Sequence, residues 1–168
     1  ILLFPLLKGD QARIKLSLPY LIETEFIQVG KNDKEVAWQL YCELITRVGV
    51  VEYVEDEDII IFCLDSWYNF FQFAREKLKD LKPQKKPKKS ETDLVTAITN
   101  LLNKELRPFL RKWHAQIRYF WENEADKNKN PVERQKEFPK YAELIKELKE
   151  LQEKLKKTSE ALYKIAKS

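Results

Sequence analysis

Between Tyr141 and Ile165 the residues Tyr141, Leu144, Leu148, Leu151, Leu155, Thr158, Leu162 and Ile165 recur at alternating intervals of three and four. This spacing restricts the fold more tightly than any other stretch of the chain. It draws one stripe along an α-helix, and such a heptad seam demands a left-handed, nearly antiparallel neighbour to cover it. That neighbour has to come from the same chain or from a second copy. Three glycines in 168 residues, against 35% charged side chains, leave little turn chemistry for a sandwich and favour helices built from Glu, Lys and Leu. A chain of this length buries roughly 70% of the surface its unfolded form exposes, so residues 1–168 read as a single domain.

Three further helices are expected. Asn32 and Glu35 form a capping-box pattern, after which "EVAWQLYCELITRV" runs helically until Gly49. Val36, Ala37, Leu40, Tyr41, Leu44 and Val48 share a face, while Trp38, Cys42 and Ile45 widen the apolar surface enough to make this helix central. Gln39, Glu43 and Arg47 form its polar strip, with Glu43 and Arg47 spaced to pair. The second helix should start in the acidic "EDED" of Glu55 to Asp58, where negative charge complements a helix amino terminus. A metal site is the alternative there, but four successive carboxylates point in different directions and lack EF-hand spacing. The apolar stripe that follows is Ile60, Cys63, Leu64, Trp67, Phe70, Phe71, Ala74, Leu78 and Leu81. Trp67, Tyr68, Phe70, Phe71 and Phe73 could be a base-stacking platform, yet their spacing follows the stripe and favours a core.

Ser90 is the expected cap of the third helix, with Asp93 at its third position. Its inner face is Leu94, Ile98, Leu102, Leu106, Phe109, Leu110, Trp113, Ile117 and Phe120. Pro108 removes a bond to the carbonyl of Lys104 at a cost of about 3 kcal/mol, which predicts a kink or short break near residues 104–108. Upstream, Ile14, Leu16 and Leu18, then Ile22, Thr24 and Phe26, alternate with polar residues around Pro19, the period of a small hairpin. "KPQKKPKKS", with five lysines and two prolines, reads as a mobile connection. The expected fold is thus mainly α: a bundle of four long helices carrying a small N-terminal β-hairpin. The hairpin segment occupies residues 1–30, helices 1 and 2 residues 33–81, the connection 82–90, and helices 3 and 4 residues 91–168.

Residues 1–81 carry 9 basic and 14 acidic side chains, a net of −5, while residues 82–168 carry 22 and 13, a net of +9. The halves attract each other, and part of the basic character is expected to be spent internally, which weakens any argument for nucleic acid from pI alone. Cys42 and Cys63 sit in apolar helical settings and read as reduced thiols of a cytoplasmic protein. No apolar run reaches the roughly 18 residues of a membrane span. The chain contains no methionine and opens on the apolar "ILLFPLL", so a membrane contact is expected only if an N-terminal anchor precedes Ile1.

One surface gathers the cations. On a wheel of 100° per residue, Lys104, Arg107, Arg111, His114 and Arg118 share one flank of the third helix, with His114 nearest the apolar boundary. Three arginines there can hold phosphate or carboxylate in bidentate fashion, and a histidine is a donor whose type titrates near neutral pH. Lys85, Lys86, Lys88 and Lys89 add nonspecific attraction for anions. The competing reading is internal pairing, with Glu43 or Asp65 as the acids facing Arg107 and Arg111. Catalysis finds no support: there is no glycine-rich phosphate loop, no metal-ligand motif and no second histidine, and Ser66 and Cys63 lack a nucleophile setting. No catalytic residue, metal or cofactor is assigned.

"EVAWQLYCELITRV" together with "LLNKELRPFLRKWH" resembles a pattern of small bacterial helical proteins without an assigned activity, over about residues 35–115. The resemblance implies a bacterial, cytoplasmic or membrane-adjacent origin and no site residue. The leading expectation is a non-enzymatic interaction or scaffold module that holds a protein partner or forms a homo-oligomer. Its alternative is a binder of an anionic ligand, whether nucleotide, nucleic acid or acidic lipid, through the basic stripe.

Overall fold

The helices begin and end where side chains satisfy their free backbone groups. The computed structural model describes residues 12–16, 25–47, 50–82 and 91–168. It is mainly helical. Helix α1 (Lys31–Ile45) starts at Gly30, whose amide donates to Asp33 Oδ2 at 2.7 Å. A carboxylate is a stronger acceptor than the amide of Asn32, and the expected Asn32 cap falls instead inside the first turn. The helix ends at Ile45, earlier than Gly49, and the hydroxyl of its C-cap Thr46 donates back to the Cys42 carbonyl at 2.8 Å. Val36, Ala37, Leu40 and Leu44 are buried, but Trp38 is 49% and Ile45 37% exposed. The helix covers the core with one face and is not central as its composition suggests. Glu43 and Arg47 pair as spaced, the guanidinium Nε donating at 2.9 Å.

Helix α2 (Ile60–Leu78) does not start in the acidic run. Glu55 to Glu57 form a turn, closed by the Val54 amide donating to Asp58 Oδ2 at 2.8 Å. The first turn of α2 is capped from a distance. The buried Gln135 side chain accepts from the Ile60 amide at 2.7 Å and donates to the Asp58 carbonyl at 2.9 Å. Freed from the helix end, the acids bind cations of the second half: Asp56 accepts from Lys136 at 2.6 Å and Glu55 from Lys149 at 2.7 Å. Trp67, Phe70 and Phe71 are core residues, which removes most of the imagined stacking platform.

Helix α3 (Leu94–Asn100) is capped by Asp93, whose Oδ1 accepts from the Thr96 amide at 2.7 Å; Ser90 lies outside the described residues. A π-helical segment, Leu101–Leu106, joins α3 without a break to α4 (Arg107–Tyr119). There the Arg107 amide reaches the Leu102 carbonyl five residues back. The wider turn ahead of Pro108 accommodates the missing donor, so the strain expected as a kink is taken up as a local change of helical pitch. A second π-helical segment, Phe120–Glu124, ends the run with the Ala125 amide on the Phe120 carbonyl at 2.9 Å. The nine apolar residues expected on the inner face are all buried.

The polar stretch after Trp121 contains an unexpected short helix, α5 (Pro131–Lys136), capped by Asn130 Oδ1 on the Val132 amide at 2.9 Å. Helix α6 (Tyr141–Lys167) buries Leu144, Leu148, Leu151, Leu155, Thr158, Leu162 and Ile165, and also Ile145, Gln152, Ser159 and Ala161. The buried face is broader than a two-stranded seam, and neighbours from within the chain fill it. On one side α1 runs antiparallel to it: the Tyr41 ring lies 5.0 Å from that of Tyr163, and the Lys34 ammonium donates to the Ser168 carbonyl. On the other, α4 runs antiparallel, with the fully buried Trp113 donating its Nε1–H to Glu147 Oε2 at 2.7 Å. Lys112 Nζ meets the other Glu147 oxygen at 2.5 Å, and Lys154 meets Glu105 at 2.6 Å. One contiguous apolar cluster joins α1, α2, α3, α4 and α6.

Backbone pairing adds β1 (Ala12–Leu16), β2 (Glu25–Val29) and β3 (Glu91–Thr92). Strands β1 and β2 are antiparallel, with Ala12 opposite Val29 and Leu16 opposite Glu25; β2 and β3 are parallel, with Phe26 opposite Glu91. Leu18, Pro19, Ile22 and Thr24 of the two alternating runs lie outside the described residues.

Candidate functional site

Helix α4 presents Arg107, Arg111, His114 and Arg118 at intervals of four, three and four, a single flank beside its buried face. Helix α2 presents Asp65, Tyr68 and Phe71 on the flank that meets it. The two helices run antiparallel: Phe71 faces Arg107, Tyr68 faces His114, and Asp65 reaches His114 and Arg118. Trp67 and Phe109, with ring centres 5.2 Å apart, lock the pair from beneath.

The flank divides into two ends. At one, Asp65 Oδ1 lies 2.7 Å from His114 Nε2 and 2.5 Å from Arg118 Nη2. A carboxylate oxygen only accepts, so His114 donates from Nε2. Arg118 also has Glu122 at 3.6 Å. This end is the internal pairing that the charge asymmetry leads one to expect, although its acid serves His114 and Arg118 and not Arg107 or Arg111. Glu43, the other acid considered, is held by Arg47.

At the other end no acid of the described residues pairs with the arginines. Arg107 donates from Nε to the neutral Asn103 Oδ1 at 3.1 Å, and its guanidinium lies 5.0 Å over the Phe71 ring. Arg111 is exposed, and among the described residues no hydrogen bond or ion pair engages it. Both line a groove of about 270 Å³ together with Tyr68, Phe71, Leu110 and His114. Neutral and aromatic contacts fix Arg107 without neutralising it, which leaves two guanidinium groups one turn apart at the rim.

Lys104 does not line this groove. It lies in the π-helical segment, whose wider turn advances each residue by less than the 100° of the helical wheel and so shifts it relative to α4. Lys85, Lys86, Lys88 and Lys89 lie outside the described residues. The aromatic contribution of Tyr68 was not assigned to the site from sequence. Its signal was its place three residues after Asp65, on the flank of α2 rather than in the apolar stripe.

Elsewhere, burial pushes the Cys63 thiol up to about 12, helped by the nearby Asp58 charge, so it is a poor nucleophile. Cys42 is half-buried, and both cysteines are free. Among the described residues no group of His, Cys, Asp and Glu is arranged to hold a metal ion, and no helix is long and apolar enough to cross a membrane. Comparison with known proteins finds no matching family model, no matching curated protein and no matching solved structure.

Proposed function

We propose that this chain is a non-enzymatic helical binding module that takes an anionic ligand in the groove between α2 and α4. The observation that carries the reading is the pair Arg107 and Arg111, which border a concave surface with no acid of the described residues against them. Surface arginines are usually solvated or paired; here the local acid, Asp65, is committed to His114 and Arg118. The incoming anion supplies the missing charge, and His114, held through Nε2 by Asp65, contributes its ring to the groove wall.

The scaffold behind the groove is, on this reading, a four-long-helix bundle with a small N-terminal β-hairpin. The antiparallel neighbours α1 and α6, α6 and α4, and α4 and α2 support it, as do their short-range side-chain contacts. The heptad seam of α6, which motivates a partner helix, is covered from inside the chain, so the cationic groove carries the proposal in its place. The module works in the cytoplasm with Cys42 and Cys63 as thiols, consistent with both being free.

Isothermal titration of the full chain with pyrophosphate at two ionic strengths tests the reading. Binding should weaken as salt rises, and Arg111→Ala should lower affinity at least ten-fold while leaving the far-UV circular dichroism unchanged. Absence of binding to the parent protein, or equal binding by the variant, refutes it.

A further inference from the structure

The groove is more apolar than a bare inorganic anion requires. Phe71 and Leu110 are buried beneath it, and Tyr68 and His114 form a wall of two rings whose centres are 5.4 Å apart and tilted by 34°. Tyr68 leaves 44% of its surface to solvent. A hydrated phosphate would give up water to face these carbons and gain nothing from them. A planar ring gains twice, stacking on the open side of Tyr68 and lying near the guanidinium of Arg107, which already prefers the face of Phe71. The volume, about 270 Å³, sits just below the roughly 300–1,000 Å³ typical of drug-sized ligands and holds one ring system with one charged group.

Charge fixes the orientation. At the His114 and Arg118 end Asp65 and Glu122 already meet the guanidinium of Arg118, whereas Arg107 and Arg111 at the other end have no acid of the described residues and attract a phosphate. Building on the anion-binding reading above, we propose that the ligand is a small aromatic or heteroaromatic phosphate, of the class of an aryl phosphate or a nucleoside monophosphate. Its ring lies against Tyr68 and His114, and its phosphate lies between Arg107 and Arg111.

The test compares inorganic phosphate, phenyl phosphate and adenosine monophosphate by isothermal titration against the full chain at low salt. Phenyl phosphate and adenosine monophosphate should bind at least ten-fold more tightly than inorganic phosphate. Tyr68→Leu, an exposed position, should erase that margin while keeping the affinity for inorganic phosphate, and Arg111→Ala should weaken all three. Equal affinity of the three probes for the parent protein overturns the aromatic inference and leaves the anion site standing. A margin that survives Tyr68→Leu also overturns it. Failure of all three probes to bind overturns the anion site itself, and the margin in the parent protein is read independently of either variant.

Discussion

Gln135 is the residue whose removal says most about how the site-bearing helix α2 is held. Its side chain is fully buried, as is Ile60, so water cannot replace the bonds it makes to the Ile60 amide at 2.7 Å and the Asp58 carbonyl at 2.9 Å. Gln135→Leu keeps most of the volume and deletes both bonds. An unsatisfied buried donor costs about 1–3 kcal/mol, and loss of a helix cap typically about 1 kcal/mol; because the two overlap, about 2–3 kcal/mol is expected in all. With a urea slope of about 1–3 kcal/mol/M, the unfolding midpoint followed by far-UV circular dichroism should fall by about 1 M. Gln135→Ala adds a cavity and should fall further. Hydrogen exchange supplies a local readout: the Ile60 amide, protected in the parent, should exchange faster in both variants relative to the amides at the centre of α2. A Gln135→Leu protein within about 0.5 kcal/mol of the parent, with the Ile60 amide still protected, would refute the claim that this side chain caps α2.

Two further expectations concern titratable groups. Partial burial opposes ionisation of Glu147, but hydrogen bonds from Lys112 and Trp113 outweigh it and hold the carboxyl below the usual carboxylate range. A group depressed in this way contributes stability that is fully present above its unfolded value near pH 4.3 and lost as pH falls through its lower folded value. Urea midpoints measured between pH 6 and pH 3 should therefore drop more steeply for the parent than for Glu147→Gln, and parallel curves would contradict the assignment. For the thiols, a Cys42→Ser variant isolates Cys63, which with its pKa near 12 should resist Ellman's reagent at pH 8 in the native state and react at once in urea. Prompt native reaction would mean that the α2 core opens far more readily than its packing implies.

The helical faces were legible because burial acts on spacing alone. Leu144 to Ile165 and Leu94 to Phe120 read correctly from their three-and-four rhythm, since any helix with that stripe must bury it. Helix ends were less legible, because the cap that wins is set by competition. Gly30, its amide bound by Asp33, took the cap expected of Asn32, Asp93 took the place expected of Ser90, and α2 found its cap 75 residues away in α5, a short helix with no apolar stripe to announce it. The exposure of Trp38 and Ile45 was hidden for a related reason: composition says what a helix could bury and not how many neighbours arrive to bury it. At the candidate site, the cationic flank followed from helical period for Arg107, Arg111, His114 and Arg118. Lys104 moved off it because Pro108 changes the pitch that the wheel assumes constant. That Asp65 would take the His114 and Arg118 end was a question of which helix lies opposite, information carried by tertiary packing alone.

The antiparallel seating of α1 on α6 has a consequence for how the chain is made. The apolar face of α1, with Val36, Ala37, Leu40 and Leu44, finds most of its cover in α6, about a hundred positions later in the chain. At roughly 5–20 residues per second that is an interval of about 10 s during which this face lacks that cover. Assembly of the core must then wait for α6 to emerge, and any nascent chain stalled before Tyr141 offers its first helix to whatever chaperone or neighbour reaches it first.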